Sequence, residues 1–337
     1  MRIRQNVYDL KDDTLLWYSK AVEEMKKRDI SDPSSWWYQA GIHGYPNRRN
    51  YGSEEDYQEA LDFWRPAPGF PPSSALLESD YWDQCQHGTW YFLSWHRMYL
   101  HFFEQIVAKT IVDLGGPADW TLPFWNYCDY YDTELPESQR EQALNIPPAF
   151  GNVEPNPKTP FLWIQGRVDN TLVSSNVDPW PAMNELEFTG NLISTDFGGG
   201  TTGFSHSGRR TGQLESLPHN RVHTDIGGAM GNPDTAGLDP IFWLHHANID
   251  RLWQVWLDFG QGRENPQSAI WQNFEFRFHN AKGEEVTMKN SQVVNTQELG
   301  YTYQPNYPKP ETDIDRLEVP KFPLSLVLNH NALLISE

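Results

Sequence analysis

Six of the eleven histidines in this 337-residue chain fall into two stretches whose spacing suits metal ligation. The first is C-Q-H-G-T-W-Y-F-L-S-W-H-R-M-Y-L at 85–100. The second is H-N-R-V-H at 219–223 with D-P-I-F-W-L-H-H-A-N-I-D-R-L-W at 239–253. Imidazole nitrogen suits copper, and a histidine set without paired carboxylates argues against carboxylate-rich di-iron bundles. The two stretches read as halves of a dinuclear copper site, and the chemistry implied is oxygen chemistry, not hydrolysis.

Spacing assigns each side chain a place. His219 and His223 are four apart, so on a helix they project from one face. A zinc-protease reading fails because Asn220, not Glu, follows His219. His245 and His246 are adjacent, about 100° apart on a helix, so one of them faces the same metal. We take His246, with Asp250 one turn on as a carboxylate that either supports the ligand ring from behind or orients the helix, and read His245 as a packing or hydrogen-bonding neighbour. His87 and His96, nine apart, would lie on opposite faces of one helix, which places His87 in the loop before it. His101 points elsewhere. A third ligand for this metal must come from another segment, and His43 in W-W-Y-Q-A-G-I-H-G-Y is the upstream candidate. His206, His279 and His330 read as bystanders.

The elements that must hold these groups are mainly helical. Residues 14–28 show helical spacing of Leu15, Tyr18, Val22 and Met25 with a basic last turn. Thr89 to Val112 is apolar nearly all round, free of Pro and Gly until Gly115-Gly116-Pro117, and should be a buried central helix. Residues 131–217, rich in Pro and Gly, read as long ordered loops. Helical signals return from Pro218 to Ile226, and again where Asp239 and Pro240 supply a cap and a first-turn proline for a helix to Phe259. Strand-like pieces follow at 274–279 and 301–303, and 321–331 could be one more. The expected fold is mainly α, a central four-helix bundle holding a dinuclear copper site, with long loops and a few short β-strands. Residues 1–303 form the expected catalytic domain and 304–337 a linker and tail.

Composition narrows the partners. Lys and Arg number 26 against 45 Asp and Glu, a formal net charge of −19 that opposes nucleic acid and anionic membrane surfaces and favours small neutral or cationic ligands. No run reaches membrane-spanning length, and the N-terminus lacks an apolar signal core, so the chain reads as soluble, either cytoplasmic or secreted after processing. Its oligomeric state is not legible. Two cysteines, Cys85 and Cys128, are too few for a disulfide framework.

Together the paired histidine motifs resemble the type-3 copper family of tyrosinases, catechol oxidases and haemocyanins, from about residue 2 to the Y-T-Y at 301–303. The resemblance implies His43, His87 and His96 on copper A and His219, His223 and His246 on copper B, with dioxygen as co-substrate and small phenols as substrates. Cys85, two before His87, matches the C-x-H pattern in which sulfur is bonded to the histidine ring as a thioether; Cys128 is then a core thiol. Glu215 and Asn220 occupy positions that resemble the water-holding pair associated with monophenol activity. Where relatives often place a bulky Phe over copper A, this chain has Pro233, which implies an open mouth. Arg221 and Thr224 flank the copper B ligands and are candidate substrate contacts. The expected activity is tyrosinase, with catechol oxidase as the alternative and an oxygen carrier behind it. The 34 residues after Tyr303 are too few for the shielding domain that many relatives carry, so an unshielded form is expected.

Overall fold

An apolar surface running all round a helix forces that helix into the middle of the protein, and the rest of the fold is arranged about one such element. The computed structural model describes residues 1–10, 13–151, 154–190 and 196–305. Helix α1 (Thr14–Lys26) ends two residues before the sequence periodicity does. Helix α2 (Trp36–His43) is buried throughout, and its N-cap Ser35 accepts the Tyr38 N–H. Helix α3 (Phe92–Asp113) is the central helix, buried at nearly every position. It stops where Gly115 takes φ +82°, a conformation that favours glycine.

The two later helices carry the second histidine group. Helix α4 (Asn220–Ile226) starts later than Pro218 because Leu217 is extended (φ −148°, ψ 120°), yet His219 keeps a helical backbone beside it. Helix α5 (Pro240–Asp258) is capped by Asp239, whose carboxylate accepts the Ile241 N–H at 3.0 Å. Arg167, from the long loop region, grips the same carboxylate at 2.6 and 2.9 Å. Thus an irregular segment fixes the start of a histidine-bearing helix.

Helix α1 packs on α2 and α3, and α3 packs on α5. At the last contact the Phe103 and Trp243 rings stack with centroids 3.3 Å apart. The loop region also contains short helices at Glu137–Ala143 and Trp180–Met183. Strands β1 (Arg2–Arg4) and β4 (Tyr301–Tyr303) pair in parallel, Arg2 with Tyr301 and Arg4 with Tyr303. Strands β2 (Glu275–His279) and β3 (Glu285–Lys289) form an antiparallel pair. The residues through Gln304 form one compact unit, and the strand expected at 321–331 lies outside the described residues. Among the described residues no helix is long and apolar enough to cross a membrane.

A buried ion network ties these elements together. Asp250 accepts from Arg97, from Arg4 (3.3 Å) and from the hydroxyls of Tyr301 (2.6 Å) and Tyr303, while Arg4 also donates to Glu104 at 2.8 Å. Burial pushes the Asp250 carboxyl upward, but the two arginines and two hydroxyls outweigh it and hold it below the usual carboxylate range. Of the two roles the spacing left open for Asp250, support of the His246 ring and orientation of the helix, these contacts favour the second. Its lone pairs are taken by arginine and tyrosine, and what it fixes is α5 against α3 and the paired terminal strands.

Candidate metal centre

Each histidine is aimed by the backbone near it. His43 ends α2, and its Nδ1 lies 2.8 Å from the Pro233 carbonyl. His96 Nδ1 meets the Phe92 carbonyl one turn back, and His223 Nδ1 meets the Met230 carbonyl, both at 2.8 Å. A carbonyl only accepts, so each Nδ1 carries the proton and each Nε2 keeps its lone pair. His43 Nε2 is buried with no protein partner among the described residues. His219 is set differently, its Nδ1 donating to the Asn220 side-chain oxygen at 2.9 Å.

The structure gathers these side chains into two groups, His43, Cys85, His87 and His96, and His219, His223, His245 and His246. In each group one ligand atom per residue lies within 4.8 Å of all the others. His219 Nε2 and His223 Nε2 both stand 3.3 Å from His246 Nε2. Metal–imidazole bonds of about 2.0–2.1 Å in tetrahedral array place nitrogens about 3.3–3.4 Å apart, so the spacing fits a metal ion. The groups face one another: the His96 and His246 rings stack at 4.4 Å and 11°.

Burial keeps the imidazoles neutral, as metal ligation requires. Desolvation, reinforced by neighbouring histidines, holds His43, His87, His219 and His246 well below the ordinary value. It lowers His96 to about 3 and His223 to about 4.

His87 lies in the loop before α3, as its spacing from His96 demands. The loop is braced by the segment around Gly208, whose N–H donates to the His87 carbonyl at 2.6 Å. Gly88 (φ +60°) has no room for a side chain, since a Cβ there would sit 2.3 Å from the Gly208 carbonyl oxygen. Cys85 Sγ is 3.5 Å from His87 Nδ1 and 3.6 Å from Nε2. Nearly equal distances to the two nitrogens put sulfur in register with Cε1, the ring carbon between them.

A cavity of about 890 Å³ opens over the two groups. His43, His87, His219 and His223 reach it, and Glu215, Asn220, Thr224 and Pro233 line its wall. Glu215 is buried; its Oε1 accepts the Gly88 N–H at 2.7 Å and its Oε2 has no partner among the described residues. Desolvation pushes its carboxyl up to about 8, against the pull of the Gly88 N–H. Arg221 is exposed and is not among the lining residues, whereas Thr224 is.

Sequence reasoning missed two roles. His206, read as a bystander, lines the cavity with its Nδ1 3.1 Å from the Cys85 carbonyl and its ring 6.2 Å from that of His87. The available signal was a histidine in a glycine-rich loop, S-H-S-G, where functional groups often sit. His245 is a hydrogen-bonding neighbour as expected, Nδ1 to the Tyr127 hydroxyl at 3.0 Å, but it also belongs to the second histidine group. His101 pairs with Gln105 and His279 packs on Tyr81, both outside the groups, and His330 lies outside the described residues.

Comparison with known proteins agrees with this geometry. Residues 33–258 match the common central domain of tyrosinase, and residues 267–313 match the polyphenol oxidase middle domain. A tyrosinase of Hahella sp. (strain CCB-MM4) is 60% identical over 321 residues, covering 95% of this chain and 67% of that protein. The latent chloroplastic polyphenol oxidase of Prunus armeniaca is 26% identical, covering 90% of this chain and 49% of its own length. The chain thus spans about half the length of the plant relatives it matches. Among solved structures, latent apple tyrosinase superposes with a TM-score of 0.65 at 26% identity, covering 91% of this chain and 63% of that one.

Proposed function

The chain belongs to the tyrosinase family of type-3 copper proteins, and from that premise we propose that it hydroxylates monophenols and oxidises o-diphenols to o-quinones with dioxygen. The observation that carries this reading is the pair of facing histidine groups beneath one cavity. In our assignment His43, His87 and His96 hold one copper and His219, His223 and His246 the other. The copper pair, when bound, supplies two coupled one-electron centres that activate dioxygen. We assign this chemistry to residues 1–303 and treat 304–337 as a tail.

The chain's own residues do the rest. Carbonyls of Phe92, Met230 and Pro233 lock three imidazoles in the tautomer that leaves Nε2 free. A monophenol must lose its proton before its oxygen is a good ligand. Glu215, with a free buried oxygen and a carboxyl poised near neutrality, shares the cavity wall with Asn220 beside His219. Together a carboxylate and an amide hold and polarise one water as the base. Pro233 uses its carbonyl on His43 and presents only a small ring to the cavity, leaving space for a phenol; Thr224 is placed to touch it. Arg221, being exposed, bears on a substrate only outside the wall. An oxygen carrier needs a site closed to phenols, which a cavity of about 890 Å³ does not favour. Cys85, in register with His87 Cε1, is placed to form a thioether that would fix the His87 ring.

Oxygen uptake on a panel of mono- and diphenols tests the reading. Glu215→Gln or Asn220→Gly should lower monophenol hydroxylation by about 10²–10⁴-fold and diphenol oxidation far less, since a catechol is more acidic and depends less on a base. Equal losses on both substrates would refute the base. Wild-type protein active on diphenols alone would make it a catechol oxidase, and no uptake on any phenol would overturn the enzyme reading.

A further inference from the structure

A second cavity, of about 600 Å³, shares no lining residue with the first. Its walls include Lys26 at the end of α1, Trp36 and Trp37 at the start of α2, Phe63, Ile164 and Leu238. Both indole N–H groups are already committed, Trp36 to the Leu238 carbonyl (3.2 Å) and Trp37 to the Lys26 carbonyl (3.0 Å). The cleft therefore offers ring carbon, and its volume lies in the range of small-ligand sites.

Asp62 and Gln165 also line the cleft, and Lys26 is the one amine among its walls. Lys26 is half-buried, its Nζ 5.8 Å from the Trp36 ring centre, and among the described residues no carboxylate is within ion-pair distance of it. The neighbouring acids are engaged elsewhere, Asp239 by Arg167 and Asp62 by Arg65. Adjacent Lys27, by contrast, pairs with Glu23 and Glu24. Burial lowers the Lys26 ammonium to about 8, against the partial pull of Asp239. At neutral pH that leaves roughly 200-fold more free amine than an ordinary lysine has. Both thiols are buried, and burial pushes them up, so they do not compete.

A flat, neutral electrophile matches an aromatic cleft holding an unpaired amine. Resting on the reading that this chain makes o-quinones, we propose that the cleft binds an o-quinone ring and that Lys26 adds to it covalently. The Nζ lone pair forms a C–N bond to a ring carbon conjugated with a carbonyl. The displaced π pair moves to that carbonyl oxygen, which takes the proton that nitrogen loses, and the hydrogen on the attacked carbon then shifts as a proton to the second carbonyl oxygen, restoring the aromatic ring. The product is an N-aryl lysine bearing a catechol, with no further oxidant consumed and no leaving group.

The test uses copper-loaded, full-length protein. In one arm it is held anaerobically and given 4-methyl-o-benzoquinone prepared separately, quenched with ascorbate and mapped by peptide mass spectrometry. Lys26 should gain one quinone mass, at a rate that saturates with quinone, at least about tenfold faster than Lys20, Lys27 or Lys109, a conservative share of the difference in free amine. It should also outpace the α-amino group, whose ordinary pKa is about 8, because only the cleft distinguishes the two. Labelling that follows exposure, or that is no faster than at the α-amino group, overturns the proposal. Lys26→Gln should abolish the saturable component. In the other arm, aerobic turnover of 4-methylcatechol should leave the same mark. A mark in the first arm and none in the second refutes quinone production while leaving the cleft intact.

Discussion

Acidifying the copper-free protein should unfold it, and the structure sets the scale. Burial holds His96 at about 3 and His223 at about 4, while an unfolded chain takes up a proton at each near 6.5. Because the folded values are depressed, the unfolded state binds more protons below about 6.5, and stability falls as pH drops through that value toward the folded ones. Between pH 7 and pH 5 this amounts to about 2 kcal/mol for each of the two histidines. His43, His87, His219, His245 and His246 are shifted in the same direction and add to the loss. Total folding stability is ordinarily about 5–15 kcal/mol, so the loss from these two alone is a large part of it. Denaturant midpoints of the copper-free protein, measured at pH 7, 6 and 5, should therefore fall steeply below about 6.5. Copper loading should raise the midpoint at every pH by mass action and move the acid transition lower. A copper-free midpoint that stays level from pH 7 to pH 5 would refute the claim that burial keeps these imidazoles neutral.

Three further outcomes are open to measurement. His246→Ala removes the nitrogen on which His219 and His223 converge, so bound copper should fall from two per chain to one, with loss of oxygen uptake; two retained coppers would remove His246 from the ligand set. Intact copper-loaded protein should weigh two hydrogens less than its sequence mass if Cys85 is joined to His87, and an alkylatable Cys85 in active enzyme would exclude the bond. Asp250→Asn strips the counter-charge from buried Arg97 and one of two from Arg4, and should cost about 3–5 kcal/mol in thermal or denaturant unfolding. Asp113→Asn, at an exposed pair with Lys109, should cost under about 1 kcal/mol, and similar losses in both variants would show that burial does not set the difference.

The helices were legible because their signals are local. A repeat of buried positions marks α1 and α3, and the Asp239-Pro240 pair marks the start of α5 to the residue. The histidine groups were legible for the same reason: four-residue spacing on a helix fixes a face, and nine-residue spacing expels His87 from α3. What the sequence hid depends on contacts between distant segments. Strand β1 has three residues and pairs with β4 at the far end of the described chain, so no alternation could announce it. Asp250 stands one turn from His246, and spacing alone left open whether it serves that ring or its helix. Its true partners come from residues 4, 97, 301 and 303. His206 was passed over because a single histidine in a loop has no periodicity, and only the approach of the Gly208 segment to the Gly88 turn carries it to the cavity.

The same network explains how two histidine groups on separate helices keep one spacing. Arg97 follows His96 directly on α3, and Asp250 lies one turn beyond His246 on α5, so their buried ion pair clamps the helices next to the rings that stack between the groups. Removing Asp250 would leave Arg97 buried without a counter-charge, and removing Arg97 would leave Asp250 only its longer pair with Arg4, which makes sliding of one helix along the other costly. Arg4, gripping Asp250 and Glu104 and lying 3.8 Å over the Tyr301 ring, extends the clamp to both terminal strands. Carbonyl contacts then set each imidazole's rotation, while the ion network sets the distance between the helices that carry them. A dinuclear centre needs both, since metal–metal separation of about 3.5–4 Å is a property of the helix pair and lone-pair direction is a property of each ring. A change at Asp250 should for that reason disturb the relation between the two sites before it disturbs the tautomers of His43, His96 or His223, whose carbonyl partners lie outside the network.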